Sequence, residues 1–424
     1  MDTSVSNARA FDARRAVVTG LGIVSPIGIG VVDFWNSLQR GESGINYITS
    51  FDVSQLAPEC RIGGEVRDFD PSEWIPKHLA RSGGRFSHFA LAAAKMAILD
   101  SDLTLTDIPN HRIMASFGTS MSGLVDVFLP AVSAFLRGEE MSPWAAREFP
   151  AQAATVHVAN GIGAQGGGIT LSTGCAAGVD AIAWAADQVR SGRADAVVAG
   201  ATETPLSPAT LDAFRLYGIL SRWVGPPGMA SRPFEFSRSG LVVSEGAAAV
   251  LVEDEERARR RGARIYAVLQ GSGTTTEPLN GGRFEISGES AAYSMTQALK
   301  ASDLKPSDID HICAHGNSIP DHDLAETAAV KLAFGAHAAS IPISSIKSMC
   351  GQAFAASGAM QVATTCLAIQ NGLVPPTINY DVPDPKCDLD YVPNTARVVR
   401  LRHALVHVRS IGGTHVSLVL SRVA

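Results

Sequence analysis

Two stretches far apart in the chain follow one pattern, and that pattern limits the folds open to it. "ITLSTGCAAGVDAIAWAADQVRSG" (169–192) runs from an apolar strand through a turn of small residues into a helix stopped by Gly192. "IPISSIKSMCGQAFAASGAMQVATTCLAIQNG" (341–372) does the same. After the first unit "ADAVVAGATE" returns as a strand, giving a β–α–β order. Strands apolar along their length are buried on both faces, which predicts a parallel sheet covered by helices. The two units read as an ancient duplication rather than a short-period repeat. In the second, Ala355, Ala356, Ser357, Gly358 and Ala359 let the helix lie close against a neighbour, so Lys347 and Gln352 fall in a crowded place.

The rest of the chain alternates in the same way. "AVVTGLGIVS" and "RIMASFGTS" read as strands, "VVDFWNSLQRG" and "FSHFALAAAKMAILDS" as helices, and "ALVHVRSIGGTHVSLVLS" as two strands around a glycine turn. At 424 residues the chain exceeds one ordinary core, so two domains or one double-layered body are expected. The natural break lies near "EDEERARRRGARIYAVL", which divides the chain into 14–260 and 261–422.

Charge and cysteine usage exclude several functions. The net charge of −6 and the lack of a Lys/Arg run argue against nucleic acid as a partner. Cys60, Cys175, Cys313, Cys350, Cys366 and Cys387 lie far apart with no CxxC pair, so neither a metal site nor a disulfide framework is expected. The N-terminus is polar, and no run of about 18 apolar residues follows. The expectation is a cytoplasmic protein without a membrane segment.

One cysteine has a chemical setting. Cys175 stands between a strand and the first turn of a helix, among Gly174, Ala176, Ala177 and Gly178. Unpaired N–H groups and the helix dipole there favour a thiolate and can receive an oxyanion, so a lowered thiol pKa is expected. A buried structural cysteine is the competing reading. His315 ends a strand in "CAHGNS", where α/β proteins place their sites, although a packed histidine is common there too. Asp323 and Glu326 follow at the start of a helix, as a cap or as a hold on that loop or on Lys347.

"VVTGLGIVSPIG", "STGCAAG", "ASRPFEFSRSG", "SEGAAAVLVE", "AHGNS", "SSIKSMCGQ", "VPPTINYD" and "GGTH" together resemble the β-ketoacyl-[acyl-carrier-protein] synthases, the condensing enzymes of fatty-acid and type II polyketide assembly. The likeness spans residues 14 to 422, and its wording is closer to the polyketide branch. It implies a thiolase-like layered αβαβα fold of two pseudo-duplicated halves, working as a homodimer or beside a chain-length-factor-like subunit. It implies no tightly bound cofactor, with substrates carried on the phosphopantetheine of an acyl carrier protein or on coenzyme A. By this resemblance Cys175 accepts the acyl group, His315 assists decarboxylation, Lys347 organises charge, and the N–H groups of Cys175 and Ile411 form an oxyanion hole. Asn317, Glu326, Ile411, Gly412 and His415 are the expected substrate contacts.

Several positions depart from the family. Gln352 falls where a second histidine is usual; its amide donates a hydrogen bond but exchanges no proton. Asn317 and Ile319 replace threonines that meet the phosphopantetheine arm, Ile411 replaces a gating phenylalanine, and His415 replaces an asparagine. The presence of Cys175 separates the chain from chain-length factors, which lack it. Decarboxylative condensation is the leading reading; an acyltransferase that loads Cys175 without extending the chain is the alternative.

Overall fold

The computed structural model describes residues 14–80, 83–278 and 285–423. Ten strands carry the architecture: β1 (Ala16–Ser25), β2 (Ile113–Gly118), β3 (Gly168–Leu171), β4 (Ala196–Glu203), β5 (Gly246–Asp254), β6 (Ala267–Thr276), β7 (His311–Cys313), β8 (Ile343–Ser344), β9 (His403–Arg409) and β10 (Thr414–Ser421). They line up as β8-β7-β9-β10-β6-β1-β5-β4-β2-β3, with a short strand, Gly28–Ile29, paired to β1. Read outward from the middle, each half has the same order, and β6 to β10 repeat β1 to β5. Only Val17↔Val268 and Val18↔Ala267 join the halves across β1 and β6.

The sheet is mixed rather than parallel. Within each half three strands run parallel (β3, β2, β4 and β8, β7, β9), and two antiparallel strands complete it. The sequence pattern does not separate these cases, because β5 and β10 are also buried on both faces along nearly their whole length.

Six helices supply the layers: α1 (Arg85–Asp100), α2 (Ala153–Ile162), α3 (Ala177–Arg190), α4 (Glu289–Ala301), α5 (Pro320–Phe334) and α6 (Phe354–Asn371). Helices α1 and α2 pack with one sheet half, α4 and α5 with the other, and α3 and α6 share the central core. This is the expected αβαβα arrangement. Residues Phe354 to Ile369 of α6 are all buried, which is why its small side chains read as crowded.

The crossing of α3 and α6 leaves no room for a side chain at Gly178, where a Cβ would come within 2.3 Å of the Ala355 carbonyl oxygen. Alanine in place of helical glycine ordinarily stabilises by about 1 kcal/mol, but overpacking against a backbone costs about 1–3 kcal/mol. Gly178→Ala should therefore unfold at lower denaturant than the wild type. An unchanged or higher midpoint would mean that the two helices separate without cost.

Candidate active site

The crossing of the two central helices also brings their N-terminal ends together. Cys175 lies in a 3₁₀ turn, Gly174–Ala176, between β3 and α3. Gly174 has φ +64°, and a Cβ there would come within 2.2 Å of Ser410 Oγ, so only glycine lets the β9–β10 turn close over the cysteine. That turn carries Ile411, whose backbone N–H reaches the thiol and favours its ionised form. Gly412, next in the turn, is exposed.

The expected thiolate does not follow from this setting alone. Cys175 is buried, and desolvation pushes its thiol up to about 11 despite the opposing pull of Lys347, the Gln352 amide and the Ile411 N–H. Buried Glu203, whose oxygens accept from Ser120 N at 2.7 Å and Met121 N at 2.9 Å, pushes the thiol further up. Burial outweighs the helix start. Alkylation of Cys175 by a small haloacetamide should thus rise about tenfold per pH unit from about pH 7 to 9, the slope for a thiol titrating above that range. Peptide mapping that found a plateau near neutrality would contradict this.

His315 follows β7 on a loop whose backbone Glu326 holds. The Glu326 carboxylate accepts from His315 N at 2.7 Å and from Gly316 N at 2.8 Å. Asp323 accepts from Asn317 N at 3.1 Å and from Phe234 N at 2.8 Å. Glu326 is expected among the substrate contacts and as a hold on this loop; both its oxygens are engaged by the loop N–H groups. Burial first, then the charge of Lys347, drives the His315 imidazole well below its usual range and keeps it neutral. Its Nδ1 is buried without a hydrogen-bond partner.

Lys347 opens the short helix after β8 and is buried. Its Nζ donates to the His315 carbonyl at 2.6 Å and to Gln361 Oε1 at 2.8 Å. Gln361 Nε2 in turn donates to the carbonyls of Ala314 (2.8 Å), His407 (3.1 Å) and Cys313 (3.2 Å). Burial draws the ammonium down and the Glu326 carboxyl up, and their mutual attraction opposes both shifts. Sequence reasoning missed Gln361; its signal was a polar residue inside an otherwise apolar, small-residue helix.

Gln352 is fixed by its backbone and left open at its side chain. Its N–H donates to the Val242 carbonyl at 2.8 Å, and its carbonyl accepts from Ser244 N at 3.0 Å. The amide lies against the Cys175 thiol closely enough to favour its ionised form, yet neither of its polar atoms makes a hydrogen bond of ordinary geometry. A buried, unpaired amide costs about 1–3 kcal/mol, so its position suits a group that arrives with the substrate.

The remaining expected contacts divide. Asn317 is buried, with its amide engaged by His322 Nδ1 (3.1 Å) and Ile319 N (3.2 Å), so its side chain is turned into the loop. His415 is buried too, bonded through Nε2 to Glu277 at 2.9 Å, in a polar cluster rather than against the thiol. Glu277 also accepts from Arg409 Nη2 at 2.8 and 3.1 Å, and nothing in the sequence between residues 277 and 409 signals that pairing. Among the described residues no group of His, Cys, Asp and Glu has the makings of a metal site, and no helix is long and apolar enough to cross a membrane.

A buried thiol at a strand–turn–helix junction, with a neutral imidazole, a lysine and an amide supplied by the second half, is an arrangement suited to acyl transfer between thioesters. Comparison with known proteins agrees: the β-ketoacyl synthase N-terminal domain matches residues 13–258, and the C-terminal domain of that family matches residues 266–381. The chain belongs to the β-ketoacyl synthase family. It is 38% identical over 420 residues to a putative polyketide β-ketoacyl synthase 1 of Streptomyces cyaneus, covering 96% of this chain and 98% of that one. It is also 38% identical over 413 residues to 3-oxoacyl-[acyl-carrier-protein] synthase 2 of Synechocystis, covering 97% and 99%. Among solved structures, a type II polyketide ketosynthase in complex with its acyl carrier protein superposes with a TM-score of 0.89 at 34% identity, covering 97% of this chain and 100% of that one.

Proposed function

We propose that this β-ketoacyl synthase joins an acyl group held on Cys175 to a malonyl thioester by decarboxylative Claisen condensation, in polyketide or fatty-acid-like biosynthesis. The observation that carries the reading is the unpaired amide of Gln352 beside the buried thiol, on a framework that also brings in His315 and Lys347.

In the first half-reaction the Cys175 sulfur attacks the acyl thioester and its proton leaves with the departing carrier thiol. The N–H groups of Cys175 and Ile411 face the developing oxyanion. In the second, a malonyl thioester loses CO₂, and the electron pair left behind forms a carbon–carbon bond with the acyl carbon. The carbon–sulfur bond to Cys175 then breaks. Neutral His315 acts on the malonyl group by polarising water or the thioester. The Gln352 amide donates to the thioester oxygen as charge builds on it, a task that requires a hydrogen bond but no proton transfer. Lys347 supplies fixed positive charge.

His315→Ala should still take up one acyl mass on Cys175 by intact-protein mass spectrometry, while formation of the β-ketoacyl product falls by about 10²–10⁴. Equal loss of both steps would overturn this division of labour.

Acyl carrier protein is the proposed substrate donor, consistent with the carrier-protein complex named above. The proposed assembly is a homodimer or a pair with a chain-length-factor-like subunit. Strand β3 supports it: it is paired on one side only, and exposed Val156 lines a cleft with Ile169 and Thr170 beside it. A cytoplasmic setting is part of the reading, since all six cysteines are free.

A further inference from the structure

Behind His315 lies a small cavity that none of these steps uses. Its charged and titratable lining includes His315, His322, His407, Arg409, His415, Glu277 and Glu326, the last held by the loop N–H groups, and its volume of about 10 Å³ is room for roughly one water molecule. Two buried ring atoms without a hydrogen-bond partner belong to its walls: His315 Nδ1 and His415 Nδ1. A water in this cavity is a partner open to each.

The electrostatics around the cavity are uneven. His415 has a carboxylate on its ring, Glu277 at 2.9 Å. Burial alone would raise that carboxyl, but the His415 hydrogen bond and the Arg409 charge hold it below its usual range, so it stays ionised. His322 and His407 are driven well below theirs, first by burial, and remain neutral. The His407 ring stacks on His415 at 5.6 Å between centroids and so adds no charge to it. Glu285, half-buried, also lines the cavity. The cluster therefore joins a carboxylate-paired ring, His415, to His315 around one water-sized cavity.

Condensation needs such a proton. When the carbon–sulfur bond breaks, its electron pair stays on Cys175 as a thiolate, and CO₂ departs without supplying a proton. One proton must enter from water in each turnover. Transfer between two thiols needs none, because the proton of Cys175 leaves with the carrier thiol.

We propose that His415, held by Glu277, takes up this proton and passes it through one water to His315, which delivers it to Cys175. His315 accepts at Nδ1 as it gives up a proton at Nε2, so no buried imidazolium accumulates. This rests on the condensation reading of the site. His415 acts through His315 and is a positioning and relay residue.

The test uses full-length enzyme acylated on Cys175 and mixed with malonyl carrier protein and excess acyl carrier protein, with CO₂ and β-ketoacyl product measured from the first turnover into the steady state. His415→Gln keeps a donor for Glu277, and with it the Arg409 pairing, but cannot relay a proton; Glu277→Gln is the second variant. In both, the first turnover should stay within about twofold of the wild type, because proton uptake follows bond formation. The steady-state rate should fall at least about tenfold and show a larger solvent deuterium isotope effect. A steady state equal to the wild type, or a first turnover that falls with it, would overturn the relay. If the wild type itself forms no β-ketoacyl product, the condensation reading fails and the relay with it. If the wild type condenses and only the variants behave otherwise, the relay alone fails.

Discussion

Cys175→Ala should leave no acyl adduct on the protein and lower condensation on the order of 10⁶-fold, the scale on which loss of a catalytic nucleophile is felt. The effect should be this large because the other five cysteines are buried elsewhere in the fold without the turn that serves Cys175. The substitution removes little volume from a turn that Gly174 and Gly178 already hold closed, so folding should be retained. Intact mass after incubation with an acyl carrier protein is the measurement. An adduct that persists in the variant would place the nucleophile elsewhere.

Gln352→Ala is expected to have the second largest effect. If the amide donates to a thioester oxygen as charge develops there, its removal should cost roughly 10²–10³ in rate while Cys175 still acylates. The backbone of Gln352 is pinned to Val242 and Ser244, so truncation should not move the chain. Gln352→His restores a ring to a pocket shaped for an amide, and it too should condense more slowly than the wild type. CO₂ release from malonyl carrier protein separates the cases. Unchanged release in Gln352→Ala would reduce the glutamine to packing. Release gained in Gln352→His over a silent wild type would favour acyl transfer without extension.

Much of this site was legible in the sequence, and the reason is local. Glycines at 174 and 178 are required by close approaches within a few residues of Cys175, and the repeated strand–turn–helix pattern places Lys347 and Gln352 at the matching point of the second half. The helix-covered sheet followed from strands apolar on both faces, but its mixed direction did not, because burial looks the same either way. What failed was electrostatic. A helix start argues for a thiolate, yet burial decides the outcome at Cys175, and burial depends on the β9–β10 turn more than 230 residues away in sequence (410 against 174). Glu326 read both as a hold on the His315 loop and as a substrate contact; its oxygens face the loop's backbone N–H groups, which fits the first reading. The Glu277–His415–Arg409 cluster was hidden for the same reason, since β6, β9 and β10 meet only in the sheet.

The central claim is that this chain extends what it carries. The most direct measurement is to load Cys175 from an acyl carrier protein, add malonyl carrier protein, and quantify CO₂ together with the carrier-bound product by mass. The account predicts one CO₂ for each β-ketoacyl product, longer than the loaded acyl group by two carbons. Release of the unextended acyl group to another acceptor, with no CO₂, would contradict it.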